Sequence, residues 1–108
     1  MKTGNIILIP FPFAELTTTK ARPAVIVTVT KDRYQDIVIA AISSIISPTM
    51  TDNEMVIKPS DSNRLKVTSV IKVDRLATVK QKDIIAPLGE LSPIELQSFQ
   101  VIFKKLVD

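Results

Sequence analysis

The chain of 108 residues is 45% hydrophobic and 23% charged, and it contains no cysteine and no histidine. This length is typical of one domain, which we expect to span residues 1–108, and it leaves little room for a deep cofactor pocket. The missing cysteine and histidine exclude disulfides, thiolate nucleophiles, sulfur-ligated metals and Ser-His-Asp or histidine-metal enzymes. The net charge of +3 permits a polyanionic partner without requiring one.

The first predicted strand is the β-branched run from Ile6 to Ile9, which ends at Pro10. An apolar run of four residues is too short for a signal peptide or a membrane span, so we expect a cytoplasmic protein. The segment from Ala14 to Arg22 is polar and aperiodic, which predicts a long loop.

The centre of the sequence is rich in further strand signals. The run after Pro23 is nearly all apolar and predicts a central strand, and the next apolar run ends at Ser43. The remaining candidates are weaker. The predicted strands after the first are residues 24–30, 37–42, 55–57 and 67–73, with short pieces at 77–79 and 84–85.

The C-terminal segment carries a clear helix signal. Ser92, Pro93 and Glu95 form the pattern of a capping box with proline at the first helical position. An apolar stripe follows at helical spacing, formed by Phe99, Ile102, Phe103 and Leu106. Short strands, long loops and one terminal helix predict a mainly β (α+β) fold, either a strongly bent antiparallel sheet or a partly open barrel.

Five segments, taken in order, resemble the MazF/PemK family of toxins. They are Gly4–Phe13, Lys20–Val27 with its Arg-Pro pair, Ile39–Ser43, Ser69–Val79 and Leu88–Ser92. The resemblance implies an SH3-like, partly open barrel of five to seven antiparallel strands with a C-terminal helix. This sequence has Asn5 where the family usually has Asp, Ser43 where many members have Thr, and Lys72 where some members have Arg.

The function implied by the resemblance is that of a toxin endoribonuclease, or mRNA interferase, of a type II toxin-antitoxin system. It would cleave single-stranded RNA at short sequences without a metal, by 2′-OH attack that leaves 2′,3′-cyclic phosphate and 5′-OH ends. The implied partners are a second copy of the chain and a cognate antitoxin. Operator DNA would be bound only through the antitoxin complex.

We expect no cofactor, because the ribose 2′-OH is a nucleophile within the substrate. Cleavage then requires groups that stabilise charge on the phosphate and groups that move two protons. Arg22 is the best candidate for the phosphate, because a guanidinium stays charged and matches phosphate oxygens in geometry. Ser43 can donate a hydrogen bond to a phosphate oxygen or orient the leaving group. Asp74 is the candidate base. Lys72 lies two residues before it, so a regular strand would place both side chains on the same face.

Substrate binding is assigned to Thr18, Thr19 and Lys20 beside Arg22, and to Lys72 and Arg75. Simpler interpretations remain open. Ser43 can belong to a local turn at a strand end, and the adjacent charges of Asp74 and Arg75 can form an ordinary surface pair.

Phe11 and Phe13 could stack on bases, although core or loop contacts are the more common role of such residues.

Two other functions remain as alternatives. One is a non-catalytic SH3-like module that binds nucleic acid or protein. The other is a gyrase poison of the CcdB type, which is disfavoured because those proteins use a C-terminal tryptophan and this chain has none.

Overall fold

The computed structural model describes residues 1–10 and 21–108. These residues form six strands, a turn of 3-10 helix at Gln81–Asp83 and one α-helix. The strands are β1 (Asn5–Pro10), β2 (Ala21–Val29), β3 (Ile37–Ser43), β4 (Glu54–Ile57), β5 (Ser69–Val79) and β6 (Ala86–Glu90), and the helix is α1 (Pro93–Val107).

The strands form one antiparallel sheet in the order β4-β5-β3-β2-β1-β6. The sheet is open within the described ranges, with β4 and β6 at its edges. Six antiparallel strands followed by a C-terminal helix confirm the predicted fold class. No helix among the described residues is long and apolar enough to span a membrane.

Three boundaries differ from the sequence prediction. The predicted end of the loop at Arg22 is wrong. Ala21 and Arg22 pair with β1, so both belong to β2. Pro23 is tolerated there because the ladder between β2 and β3 begins one residue later, at Ala24.

The second and third differences lie in the last two strands. β5 is one strand of 11 residues, not two pieces, and it absorbs a bulge in its middle. The final strand begins at Ala86, after the predicted piece at 84–85, and includes Pro87. Proline is acceptable in β6 because this strand lies at the edge of the sheet.

Two apolar clusters lie on opposite faces of the sheet. The helix-side cluster packs α1 against β4 and β5, and its largest fully buried side chain is Phe99. The far-side cluster contains Ile7, Ile9, Ala24, Ile26, Ile37 and Ile39. Opposite residues of neighbouring strands point to the same side, so the strand register assigns each polar residue to one of these faces.

α1 begins with the predicted capping box. The Oγ of Ser92 accepts a hydrogen bond from the backbone N–H of Glu95 at 3.2 Å, and the Glu95 carboxylate accepts one from the Ser92 N–H at 2.8 Å. Phe99 is buried and stacks on Phe103, with 6.3 Å between ring centroids. The helix therefore lies on the sheet through the predicted stripe.

The loop between β4 and β5 is built around a buried polar side chain. The Nδ2 of Asn63 donates to the carbonyl of Lys58 at 2.8 Å, and its Oδ1 accepts from the N–H groups of Ser60 and Leu65, each at 3.0 Å. Asn63 is fully buried, yet its side chain is well bonded. It therefore fixes the loop in one conformation.

Candidate functional site

Arg22 and Ser43 lie at the same end of the sheet. Arg22 is the second residue of β2 and Ser43 is the last residue of β3. The ladder between β2 and β3 ends at the pair Ala24–Ala41, and Arg22 and Ser43 each lie two residues beyond that pair on their own strands. The two leading candidates therefore lie at the same end of neighbouring strands.

Both residues are on the far-side face of the sheet. Arg22 pairs with Ile9 and follows the alternation of Ala24, and these two apolar residues belong to the far-side cluster. Ser43 follows the alternation of Ala41, which packs against the same cluster. The guanidinium is exposed and Ser43 is partly exposed, so both are accessible to a ligand in solution.

Lys72 extends this polar group across the sheet. It pairs with Ala41 on β3, so it points to the same face as Ser43 and lies diagonally from it. The residues between these polar groups are small: Ala24 and Ala41 lie next to Arg22 and Ser43 on their own strands. Two cations and a hydroxyl therefore surround a pair of alanines.

The hydroxyl of Ser43 also takes part in a local turn. Its Oγ accepts a hydrogen bond from the backbone N–H of Ile45 at 3.1 Å. The return contact to the Ile45 carbonyl is 3.5 Å, which is too long for a strong O–H bond. The turn therefore orients the hydroxyl, and the hydroxyl's own donor contact within the turn is a long one.

Asp74 and Arg75 lie in the bulge of β5. The register moves from the pair Ala41–Lys72 to the pair Ala40–Leu76, so residues 73–75 have no opposite partner on β3. Asp74 and Arg75 are exposed there. The bulge interrupts the regular alternation on which the i, i+2 relation of Lys72 and Asp74 was based, and the base assignment of Asp74 stays a prediction.

Glu54 is a residue that the sequence analysis missed. It lies directly opposite Lys72 on β4, on the face that carries Ser43. A hydrogen bond from the backbone N–H of Thr51, at 3.0 Å to Oε1, lowers the pKa of Glu54, and the positive fields of Lys72 and Arg75 lower it further. The carboxylate is thus held ionised beside the two cations.

The sequence carried no signal for Glu54, because its position opposite Lys72 depends on how β4 pairs with β5. Glu54 and Lys72 are separated by the whole loop that connects β4 to β5. The other predicted binding residues, Thr18, Thr19 and Lys20, and the two aromatic candidates, Phe11 and Phe13, lie outside the described residues. Their roles stay predictions.

A family model described as "PemK-like, MazF-like toxin of type II toxin-antitoxin system" matches residues 2–106. The chain belongs to this family. The match confirms the resemblance that the five sequence segments indicated, and it includes Arg22, Ser43, Lys72 and Asp74. None of the proteins with curated functions gives a sequence match.

Solved toxin structures share the fold of this MazF-like chain. The Mycobacterium tuberculosis toxin MazF-mt6 superposes with a TM-score of 0.74 at 19% identity, over 96% of each chain. An endoribonuclease from a mycobacterial species, solved with its cognate antitoxin, gives 0.72 at 16% identity over 99% of this chain and 94% of that chain. A further mycobacterial endoribonuclease gives 0.71 at 16% identity, over 99% of this chain and 90% of the other.

Proposed function

We propose that this chain is a toxin endoribonuclease that cleaves single-stranded RNA, including mRNA, at short sequences. The observation that carries the proposal is that Arg22 and Ser43 lie just beyond the last pair of the β2–β3 ladder, on one face with Lys72, in a chain of the MazF-like family. The three side chains offer two positive charges and one hydroxyl to a phosphodiester.

The reaction that suits these groups is transfer of the phosphate to the neighbouring ribose oxygen. The 2′-OH loses its proton and attacks the phosphorus, the bond to the 5′ oxygen breaks, and that oxygen gains a proton. The products are a 2′,3′-cyclic phosphate and a 5′-OH end. Because the nucleophile belongs to the substrate, the protein needs to supply only charge stabilisation and proton transfer.

The roles of the side chains follow from their chemistry. Arg22 stabilises the negative charge that builds on the phosphate in the transition state, because its guanidinium is permanently charged and planar. Ser43 donates its hydroxyl proton to a phosphate oxygen. Lys72 adds a second positive charge, and Asp74 is the candidate proton acceptor.

The proposed partners are a second copy of the chain and an antitoxin. A similar endoribonuclease has been solved with its cognate antitoxin. An antitoxin with an acidic, disordered tail would match the net charge of +3 of this chain and would fold on binding. Neutralisation would then come from occupation of the face that carries Arg22.

The test is cleavage of a long single-stranded RNA by the purified chain in EDTA. We expect cuts at a short recurring sequence, with 2′,3′-cyclic phosphate and 5′-OH ends, and loss of these cuts in Arg22→Ala. Replacing the RNA by DNA of the same sequence removes the 2′-OH and should abolish cleavage. An RNA panel that is never cut, or is cut equally by wild type and Arg22→Ala, would refute the proposal.

The local hydrogen bond of Ser43 favours a second candidate, a non-catalytic binding module. If the Ser43 hydroxyl serves only the turn with Ile45, the same cationic face can bind nucleic acid without cutting it. This function predicts RNA binding that survives Ser43→Ala and yields no product at any time. The end-group assay separates the two candidates.

A further inference from the structure

A row of paired residues leads across the far-side face from the candidate site to the edge of the sheet. Ser43 pairs with Val70 on β5, and Val70 pairs with Val56 on β4. Neighbouring strands lie about 4.8 Å apart, so Val56 is about 10 Å from Ser43. Val70 is buried, whereas Val56 is 44% exposed. A phosphate bound at Ser43 would therefore have an open apolar surface close enough for a base of the same RNA to cover.

Glu54 borders this apolar surface. It lies two residues before Val56 on β4, so the two side chains point to the same face, about 7 Å apart. The Oε1 of Glu54 accepts a hydrogen bond from the backbone N–H of Thr51 at 3.0 Å, and the Thr51 hydroxyl also bonds to the carboxylate. An ionised carboxylate has about four acceptor positions. Thr51 therefore orients this carboxylate without using all of its capacity to accept hydrogen bonds.

A carboxylate beside an apolar surface distinguishes between the four bases of RNA. Unpaired bases expose their Watson–Crick edges, and only guanine presents two adjacent donors there, N1–H and N2–H, which match the two oxygens of a carboxylate. Adenine, cytosine and uracil each place an acceptor next to a donor, and a carboxylate repels the acceptor. We propose that Glu54 is a specificity-determining residue that binds the N1–H and N2–H groups of a guanine, with the ring of the base against Val56.

The neighbouring cations allow a carboxylate to lie this close to an RNA chain. Lys72 is directly opposite Glu54, and the positive fields of Lys72 and Arg75 both act on the carboxylate. These two charges offset the repulsion between Glu54 and the phosphates of the RNA. That the guanine lies beside the scissile phosphate rests on the proposed function, whereas the contact between guanine and Glu54 does not.

The experiment measures binding of two labelled 2′-O-methyl RNA hexamers to the full chain by fluorescence anisotropy. These hexamers have no free 2′-OH and cannot be cut, so binding is measured apart from cleavage. One hexamer is U-G-U-G-U-G, and the other has inosine in place of each guanosine, which removes only the N2 amino group. We expect the guanosine hexamer to bind at least about fivefold more tightly, the lower end of the discrimination given by a bidentate base contact.

Glu54→Gln should bind the two hexamers equally, because an amide NH₂ replaces one of the two acceptor oxygens. The amide oxygen can still accept from the Thr51 N–H, so this variant should remain folded. The matched control is Glu90→Gln, which removes the same charge from an exposed side chain on β6, the opposite edge of the sheet. Both variants lose a negative charge and gain general affinity for RNA, so the ratio of the two affinities is the measurement. Glu90→Gln should keep the wild-type ratio.

The inference is overturned if wild type binds the two hexamers equally or binds neither. It is also overturned if the preference for guanosine survives Glu54→Gln, or if Glu90→Gln removes it as well. Failure here can be separated from failure of the proposed function. A chain that cuts RNA and shows no preference for guanosine refutes only the role of Glu54. A preference for guanosine in a chain that cuts no RNA refutes only the nuclease proposal.

Discussion

The two ends of β2 and β3 both carry exposed cations, and they use their polar groups differently. At one end, Arg22 and Ser43 lie just beyond the last pair of the β2–β3 ladder, on the same face as Lys72. At the other end, the turn at residues 30–36 carries Lys31 and Arg33 together with two aspartates, and its polar groups bond to one another. Charge alone therefore does not distinguish the two ends of this sheet.

The turn illustrates the difference. The Oδ1 of Asp32 accepts hydrogen bonds from the Thr30 hydroxyl at 3.0 Å and from the N–H groups of Tyr34 and Gln35 at 3.1 Å each. Arg33 lies over the ring of Tyr34, with 4.9 Å from its Cζ to the ring centroid. These groups stabilise the turn, whereas the hydroxyl of Ser43 at the opposite end donates only through a long contact of 3.5 Å to the Ile45 carbonyl.

The largest expected effect compares two arginines, one at each end. Arg22→Ala should lower the rate of RNA cleavage by about 10²- to 10³-fold, because a charged donor to the transition state is lost. Arg33→Ala removes the same charge at the far end and should leave the rate within about twofold, since an exposed charge far from the site acts weakly. Single-turnover cleavage at fixed salt measures both rates. An equal loss of rate in the two variants would contradict a special role for Arg22.

The second effect concerns the hydroxyl of Ser43. Ser43→Ala should lower cleavage by about tenfold, which corresponds to about 1.4 kcal/mol for one hydrogen bond in the transition state. Ser43→Thr should restore most of the rate because it keeps the hydroxyl. The exposed Ser47 of the following loop offers a control, and Ser47→Ala should behave as wild type. A Ser43→Ala protein with full activity would assign the hydroxyl to the turn alone.

The third effect concerns the turn at residues 30–36 and should appear in the free energy of unfolding. Asp32→Ala removes an oxygen that accepts three hydrogen bonds and should lower the free energy of unfolding by about 1 kcal/mol, as loss of a local cap does. RNA cleavage per folded molecule should not change. Urea unfolding, with the exposed Asp52→Ala as control, measures the difference. A Asp32 variant with unchanged stability but impaired cleavage would contradict the comparison.

The smallest effect is a pH dependence at Glu54. Its pKa lies below the ordinary value of 4.5, so the carboxylate stabilises the folded chain above that pH and loses this contribution as the pH falls through the folded-state pKa. Glu54→Gln should be slightly less stable than wild type at neutral pH. The difference should shrink as the pH is lowered below 4.5, and a constant difference would show that the charge plays no part.

Much of the fold was predictable because local patterns decide it. The capping box at Ser92 and the stripe through Phe99 and Phe103 gave the helix correctly, and the apolar runs gave most of the strands. Pro87 illustrates the limit. Its ring argues against a strand, but β6 is an edge strand, and edge position depends on strand order that local sequence does not contain.

The candidate site was predictable only in part, for a similar reason. Arg22 and Ser43 follow from the family resemblance, and the strands that carry them are neighbours in the sheet. Glu54 could not be predicted, because its relation to Lys72 depends on pairing across a loop. The relation of Lys72 to Asp74 was inferred from regular alternation, which the bulge at residues 73–75 interrupts.

Gly89 determines how closely β6 approaches the loop between β4 and β5. A Cβ atom at this position would collide with the backbone of Ser62 and Asn63, so β6 and this loop touch main chain to main chain. A single methyl group at residue 89 would push the two segments apart and strain the hydrogen bond from the Glu90 N–H to the Ser62 carbonyl. The edge of the sheet is thus joined to its neighbouring loop only because the side chain at residue 89 is a hydrogen atom.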